Sequence, residues 1–125
     1  MTSLSSHLYN ISFGRIYAKS TEVTDTSFPG DVIADPPSTS DKLAITKISF
    51  QPSAAGVTVV VRSYESDGTT LVDTLFNAVL ATGILLVPPE VDMSDAPIIL
   101  KDGQQLQATV SVGGTAYVTV RGFVL

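Results

Sequence analysis

The sequence runs to 125 residues, with seven Lys and Arg against twelve Asp and Glu, a formal net charge of −5, and neither cysteine nor tryptophan. That length gives one domain with a core of its own, and the missing cysteines exclude disulfides, thiolate nucleophiles and cysteine-held zinc. The seven basic residues, Arg15, Lys19, Lys42, Lys47, Arg62, Lys101 and Arg121, are scattered along the chain, which argues against nucleic-acid binding, because neutralising a phosphate backbone takes a concentrated basic surface.

Hydrophobic residues make up 44%, enough to fold rather than stay disordered. They are mostly Val, Ile, Leu and Ala among many Thr and Ser, and β-branched side chains pack well on a pleated surface, so the expected class is all-β. The amino terminus lacks a basic segment followed by an apolar run, and the longest apolar run, Gly83 to Val87, is too short to span a bilayer. The expectation is a soluble protein made in the cytoplasm, without a membrane partner.

In chain order, Met1 to His7 is small and polar. From Leu8 to Ala18 the residues alternate, with Tyr9, Ile11, Phe13, Arg15 and Tyr17 on one face of a predicted strand. Lys19 to Asp41 is the most loop-like segment, holding Pro29-Gly30 and Pro36-Pro37; diproline supplies no backbone donor and cannot sit inside a sheet. Two readings of it stand. One is a surface connection with a small strand near Val32, and the other an arm that packs on a second subunit, anchored by Phe28, Val32 and Ile33. Residues 1–41 are accordingly read as an N-terminal strand with an extended arm, and 42–125 as the β-sandwich core.

Leu43 to Phe50 reads as a strand, Gln51 to Gly56 as a turn, and Val57 to Tyr64 as a strand with Val57, Val59 and Val61 inward and Thr58, Arg62 and Tyr64 outward. Glu65-Ser66-Asp67-Gly68 is a hairpin loop carried by its Asp-Gly pair. Thr69 to Phe76 reads as the returning strand, although Leu71, Leu75 and Val79 also fit a helical turn near Asn77. Gly83 to Val87 is a further short strand, and Glu90 to Pro97 an acidic loop. Ile98 to Leu100 then leads through a turn at Lys101-Asp102-Gly103 to two alternating runs separated by Gly113-Gly114. These predict a terminal hairpin, since glycine readily adopts the positive φ of a two-residue turn. Leu106, Ala108, Val110 and Val112 share one face of its first arm, and Ala116, Val118, Val120 and Val124 one face of its second. Tyr117 and Phe123 lie on the other face, so this strand is either central or covered. In all, about eight or nine short strands describe an antiparallel sandwich, of jelly-roll or immunoglobulin-like topology.

Little in the sequence spells out chemistry. The single histidine, His7, stands in the polar terminus, and no G-x-S-x-G, H-E-x-x-H or P-loop pattern occurs. Carboxylates pair in Glu65 with Asp67 and group in Glu90, Asp92 and Asp95; both sets fall in predicted loops, and the second lacks the full calcium-loop pattern. Tyr64 and Tyr117 are candidate platforms for a sugar ring. The expectation is a chain that is no enzyme and takes no cofactor or metal, with Phe28, Val32, Ile33, Tyr117 and Phe123 as interface candidates.

From Lys42 onward the order of parts is K-L-A-I-T-K-I-S-F, a small-residue turn, V-T-V-V-V-R-S-Y, a D-G turn, T-L-V-D-T-L, an apolar strand, A-P-I-I-L-K-D-G and a terminal unit ending V-T-V-R-G-F. Over about two thirds of the chain this resembles the small β-sandwich structural proteins of tailed-bacteriophage virions, particularly head decoration or cement proteins. The resemblance implies a non-enzymatic virion protein that stabilises a shell by binding the major capsid protein or another virion protein. It also implies a homo-oligomer, often a trimer, made in the host cytoplasm. A glycan- or receptor-binding module of a fibre or baseplate is the alternative.

Overall fold

The computed structural model describes residues 15–53, 56–80 and 90–125, with residues 76–80 through their backbone. The described residues form nine strands: β1 (Arg15–Val23), β2 (Asp31–Ala34), β3 (Leu43–Pro52), β4 (Val57–Tyr64), β5 (Leu71–Leu80), β6 (Glu90–Asp92), β7 (Ile98–Leu100), β8 (Gln105–Val110) and β9 (Ala116–Val124). They build two antiparallel sheets. In the front sheet the order is β1-β9-β3, with β6 and β7 end to end along the far side of β3; in the back sheet it is β2-β8-β4-β5. The fold is the antiparallel β-sandwich expected from the alternating sequence. The predicted strand at Gly83 to Val87, His7, and the first half of the strand predicted from Leu8 lie outside the described residues.

The core is what period-two alternation dictates. Leu43, Ile45, Ile48 and Phe50 of β3 and Val118, Val120 and Val124 of β9 are buried with Val57, Val59 and Val61 of β4 and Leu106, Ala108 and Val110 of β8. Removing each such side chain from water contributes roughly 2 kcal/mol, so the alternation fixes which face turns inward. In β3 the pattern stumbles, because the polar pair Thr46-Lys47 separates Ile45 from Ile48. A register shift between Ile45 and Lys47 absorbs the extra residue and returns Ile48 and Phe50 to the core. Gly122 lies opposite Ile45 at this bulge, and a Cβ there would collide with the Ala44 carbonyl.

The terminal unit corrects the sequence reading. The arms around Gly113-Gly114 do not pair as a hairpin: β8 runs between β2 and β4 in the back sheet, β9 between β1 and β3 in the front one. Residues 111–115 arch from sheet to sheet, and the apolar faces of the two arms meet across the core instead of lying side by side. Gly113 does take the positive φ, 84°. Val112, assigned to the inward face, is exposed, because β8 ends at Val110. β9 is central, which is why its outer face tolerates Tyr117 and Phe123.

The segment from Lys19 to Asp41 is also less loop-like than its composition suggests. Lys19 to Val23 completes β1, pairing with Val120 to Ala116, and the small strand near Val32 is β2, paired with β8. Residues from Arg15 to Asp41 are therefore part of the sandwich rather than an arm outside it. Tyr17 packs on the core from β1, accepts a hydrogen bond from the Asp35 backbone N–H at 3.3 Å, and is pushed above the usual phenol range chiefly by burial. β3 runs on through Pro52, and β5 is strand throughout, with Asn77 paired to Val60, so no helical turn forms there.

Candidate functional site

Two surfaces flank the core, and they differ in kind. On the back sheet, Val60, Arg62 and Tyr64 of β4 stand in register with Thr109, Gln107 and Gln105 of β8. This face is not bare. The segment after β1 folds over it, placing the Phe28 ring 5.6 Å from that of Tyr64 and 4.3 Å from the Arg62 guanidinium carbon. Tyr64 points outward as predicted, yet only 4% of it is exposed. The buried Arg62 Nε has no hydrogen-bond partner, so the π-face of Phe28 is what receives this cation.

Gln107 holds the cover in place. It is 2% exposed; its Oε1 accepts from the Gly30 N–H at 2.9 Å, and its Nε2 donates to the Gly68 carbonyl at 2.8 Å and to Gln105 Oε1 at 3.0 Å. One buried amide thus ties the Phe28 segment and the 65–70 hairpin loop to β8. A shallow depression of about 120 Å³ remains between them, lined by Phe28, Pro29, Tyr64 and Thr69.

On the outer face of the front sheet, cross-strand register arranges the side chains in rows. Ile16, Phe123, Ala44 and Ile99 form one apolar row across β1, β9, β3 and β7. Next come Ala18, Arg121, Lys47 and Asp92, then Ser20, Thr119, Ser49 and Glu90, then Glu22, Tyr117 and Gln51. Ile16 is 68% exposed, and Ile99 and Leu125 are exposed too. At the polar end the Tyr117 hydroxyl donates to Glu22 Oε2 at 2.8 Å, which raises the phenol above its ordinary value.

The charges are distributed unevenly. Scattered in sequence, six of the seven cations lie in the front sheet or directly beside it: Arg15 and Lys19 in β1, Lys47 in β3, Arg121 in β9, Lys42 before β3 and Lys101 after β7. Arg15 pairs with Asp41, Lys19 with Asp35 and Lys47 with Glu90. Lys42, Lys101 and Arg121 make no ion pair with a described residue and border the apolar row. Sequence reasoning missed this grouping. Its signal was that each of the three adjoins a core position, Leu43, Leu100 or Val120, and so projects outward.

The predicted interface residues are not brought together. Ile33 is fully buried in the chain's own core, which removes it as an anchor for another subunit, and Val32 is half-buried opposite Gln107. Phe28 covers Tyr64 and Arg62 of its own chain. Tyr117 and Phe123 share the front face at opposite ends. Of the carboxylates, Asp67 closes its own loop by accepting from the Thr69 and Thr70 N–H groups at 2.9 and 2.8 Å and from the Thr70 hydroxyl at 2.6 Å. Those bonds bring its pKa down to about 2. Asp92 accepts from Ser94, whose hydroxyl and N–H lower its pKa; Met93 packs against the core. No group of three metal-ligating side chains occurs among the described residues.

No family model matches the chain, and no curated protein matches it. Among solved structures it is similar to a chain of Bacillus endospore appendages, described as a novel family of disulfide-linked pili, with 12% identity, a TM-score of 0.46 and 89% of each chain covered.

Proposed function

We propose that this chain is a non-enzymatic structural protein that works through surface-to-surface contacts, of the capsid-decoration type its sequence resembles. The observation that carries the reading is the front face, where Ile16 and Ile99 are exposed and three bordering cations, Lys42, Lys101 and Arg121, have no ion pair among the described residues. Such a face suits a broad contact with another protein, repeated over a lattice so that individually weak contacts sum. The test is to add the purified chain to shells that lack it and follow retention and heat resistance. Binding with raised heat resistance supports the decoration role; no binding and no gain in heat resistance overturns it.

The glycan-binding alternative has one observation in its favour: Tyr117, exposed and bonded through its hydroxyl to the Glu22 carboxylate, offers a ring and an acceptor together. Tyr64, the other candidate, is covered by Phe28. Glycan-array binding that disappears in Tyr117→Ala would favour this reading over the first.

A further inference from the structure

The sequence contains two Asp-Gly pairs, Asp67-Gly68 and Asp102-Gly103. Both aspartates are exposed and both pairs stand in turns between strands. In such a pair the glycine amide nitrogen can attack the aspartate's own carboxyl carbon, because glycine has no Cβ to block the approach. The reaction needs a neutral carboxyl, an unengaged amide, and an aspartate ψ that brings the two together. The two turns differ in what they supply.

At Asp67 both reacting groups are engaged. The carboxylate accepts from the Thr69 and Thr70 N–H groups and the Thr70 hydroxyl, bonds that favour its ionised form. The Gly68 N–H is turned away and donates to the Glu65 carbonyl at 2.9 Å. At Asp102, among the described residues, no hydrogen bond or ion pair reaches the carboxylate, and neither the Asp102 carbonyl nor the Gly103 N–H is bonded. The turn closes through the Gln104 N–H, which donates to the Lys101 carbonyl at 2.9 Å. With φ of 56° at Asp102 and 76° at Gly103 it is a type I′ turn. Asp102 is the one residue other than glycine, among those described, with a positive φ.

We propose that Asp102-Gly103 is a site of spontaneous isomerisation, where the main chain re-routes through the Asp102 side chain, while the fold protects Asp67-Gly68. A flip of the Asp102-Gly103 peptide converts type I′ to type II′, which keeps the positive φ at Asp102 and moves Gly103 to a negative one. The bond from Gln104 to Lys101 survives the flip, and no other backbone bond is lost. In type II′ the Asp102 ψ is about −120°, the angle at which the Gly103 nitrogen eclipses Cβ and stands next to Cγ. The nitrogen then bonds to Cγ, and its proton departs with the carboxyl hydroxyl as water, closing a five-membered succinimide. Water re-opens this ring at either carbonyl. Attack at the side-chain carbonyl restores Asp102; attack at the main-chain carbonyl breaks its bond to Gly103 and leaves isoaspartate, with an extra methylene in the main chain and the α-carboxylate as a side group. The lengthened turn changes the spacing that lets Gln104 bond the Lys101 N–H and Glu65. The inference is independent of the assembly role and concerns how the chain ages whatever it binds.

Peptide mapping of the full chain, held folded for weeks in mildly acidic buffer, tests it. The expected product is a peptide of unchanged mass and altered retention that an aspartate-specific protease no longer cuts before residue 102, preceded by a species lighter by one water. It accumulates at Asp102 about tenfold faster than at Asp67, whose lowered pKa makes the neutral acid scarcer by at least that factor. In urea, with both turns dissolved, the two pairs react at similar rates, which assigns the difference to the fold. Asp102→Asn closes the same ring with loss of ammonia instead of water and yields isoaspartate at the same place. Asp102→Glu would need a six-membered ring, and the product at this turn disappears; circular dichroism checks that both variants stay folded. Equal rates at the two pairs in the folded chain, or a faster reaction at Asp67, overturn the inference. So does an Asp102 that stays intact in the folded chain while it isomerises in urea, or a difference between the pairs that persists unchanged in urea.

Discussion

The backbone N–H of Gly30 donates to the side-chain Oε1 of Gln107 at 2.9 Å, across 77 positions of sequence. That bond and the one from Gln107 Nε2 to the Gly68 carbonyl pin two surface segments to one strand. A Cβ on Gly30 would meet the Ala108 carbonyl, so the approach is close as well as bonded.

Replacing Gln107 tests this pin. Gln107→Ala strands the Gly30 donor and the Gly68 acceptor beside the sheet, and each buried group left unpaired costs on the order of 1–3 kcal/mol. The expected loss is about 3 kcal/mol by urea unfolding. Gln107→Glu keeps the acceptor for Gly30 but loses both donations, and its loss is expected to be smaller than that of Gln107→Ala at low pH, where the acid is neutral.

Phe28→Ala is expected to cost about 2 kcal/mol, from lost ring burial and the cation–π contact with Arg62. It also uncovers Tyr64. With no tryptophan in the sequence, tyrosine emission reads that change directly, and quenching by iodide should increase in the variant. Phe28→Leu restores bulk without the π-face, so its remaining deficit measures the Arg62 contact.

Gly122→Ala is expected to destabilise by about 3 kcal/mol, the upper part of the range for overpacking a tight site. The added methyl meets the Ala44 backbone at the β3 bulge, which has no rotamer to yield. Thermal unfolding compared with Thr119→Ala, an outward position on the same strand, separates this clash from a general dislike of substitution in β9.

Asp67 makes an acid limb. Its folded-state pKa of about 2 lies below the ordinary 3.8, so protons bind the unfolded chain more readily than the folded one. The stability it contributes is complete above about pH 4 and is lost as pH falls through 2. Asp67→Asn should be less stable than wild type at neutral pH, and the two unfolding curves should converge toward pH 2.

How far the sequence is legible depends on whether a feature is local. The inward residues of β3, β4, β8 and β9 follow from alternation, because burial of a half-covered strand is decided within the strand itself. Pairing is not local. Gly113-Gly114 between two alternating runs reads as a hairpin, yet an arch uses the same glycines; the outcome belongs to β1, β3, β2 and β4, which pair with the edges of β9 and β8. Signs were present in Gln107 and Thr109, polar residues on the second face of β8 that are both buried. Lys19 to Val23 hides in a polar run because an edge strand tolerates polar side chains. The front-face cations were invisible for the same reason: Lys42, Lys101 and Arg121 become neighbours only when three distant segments align.

The central place of β9 has a consequence for how the molecule comes into being. Its partners, β1 and β3, have no contact with each other in the front sheet except through it, and both are translated long before it. Until residue 124 has left the ribosome, β1 and β3 wait with vacant edges and their apolar faces uncovered, and closure of the front sheet is a late, long-range event. Truncation within β9 should thus yield an aggregation-prone chain, with no smaller sandwich to fall back on.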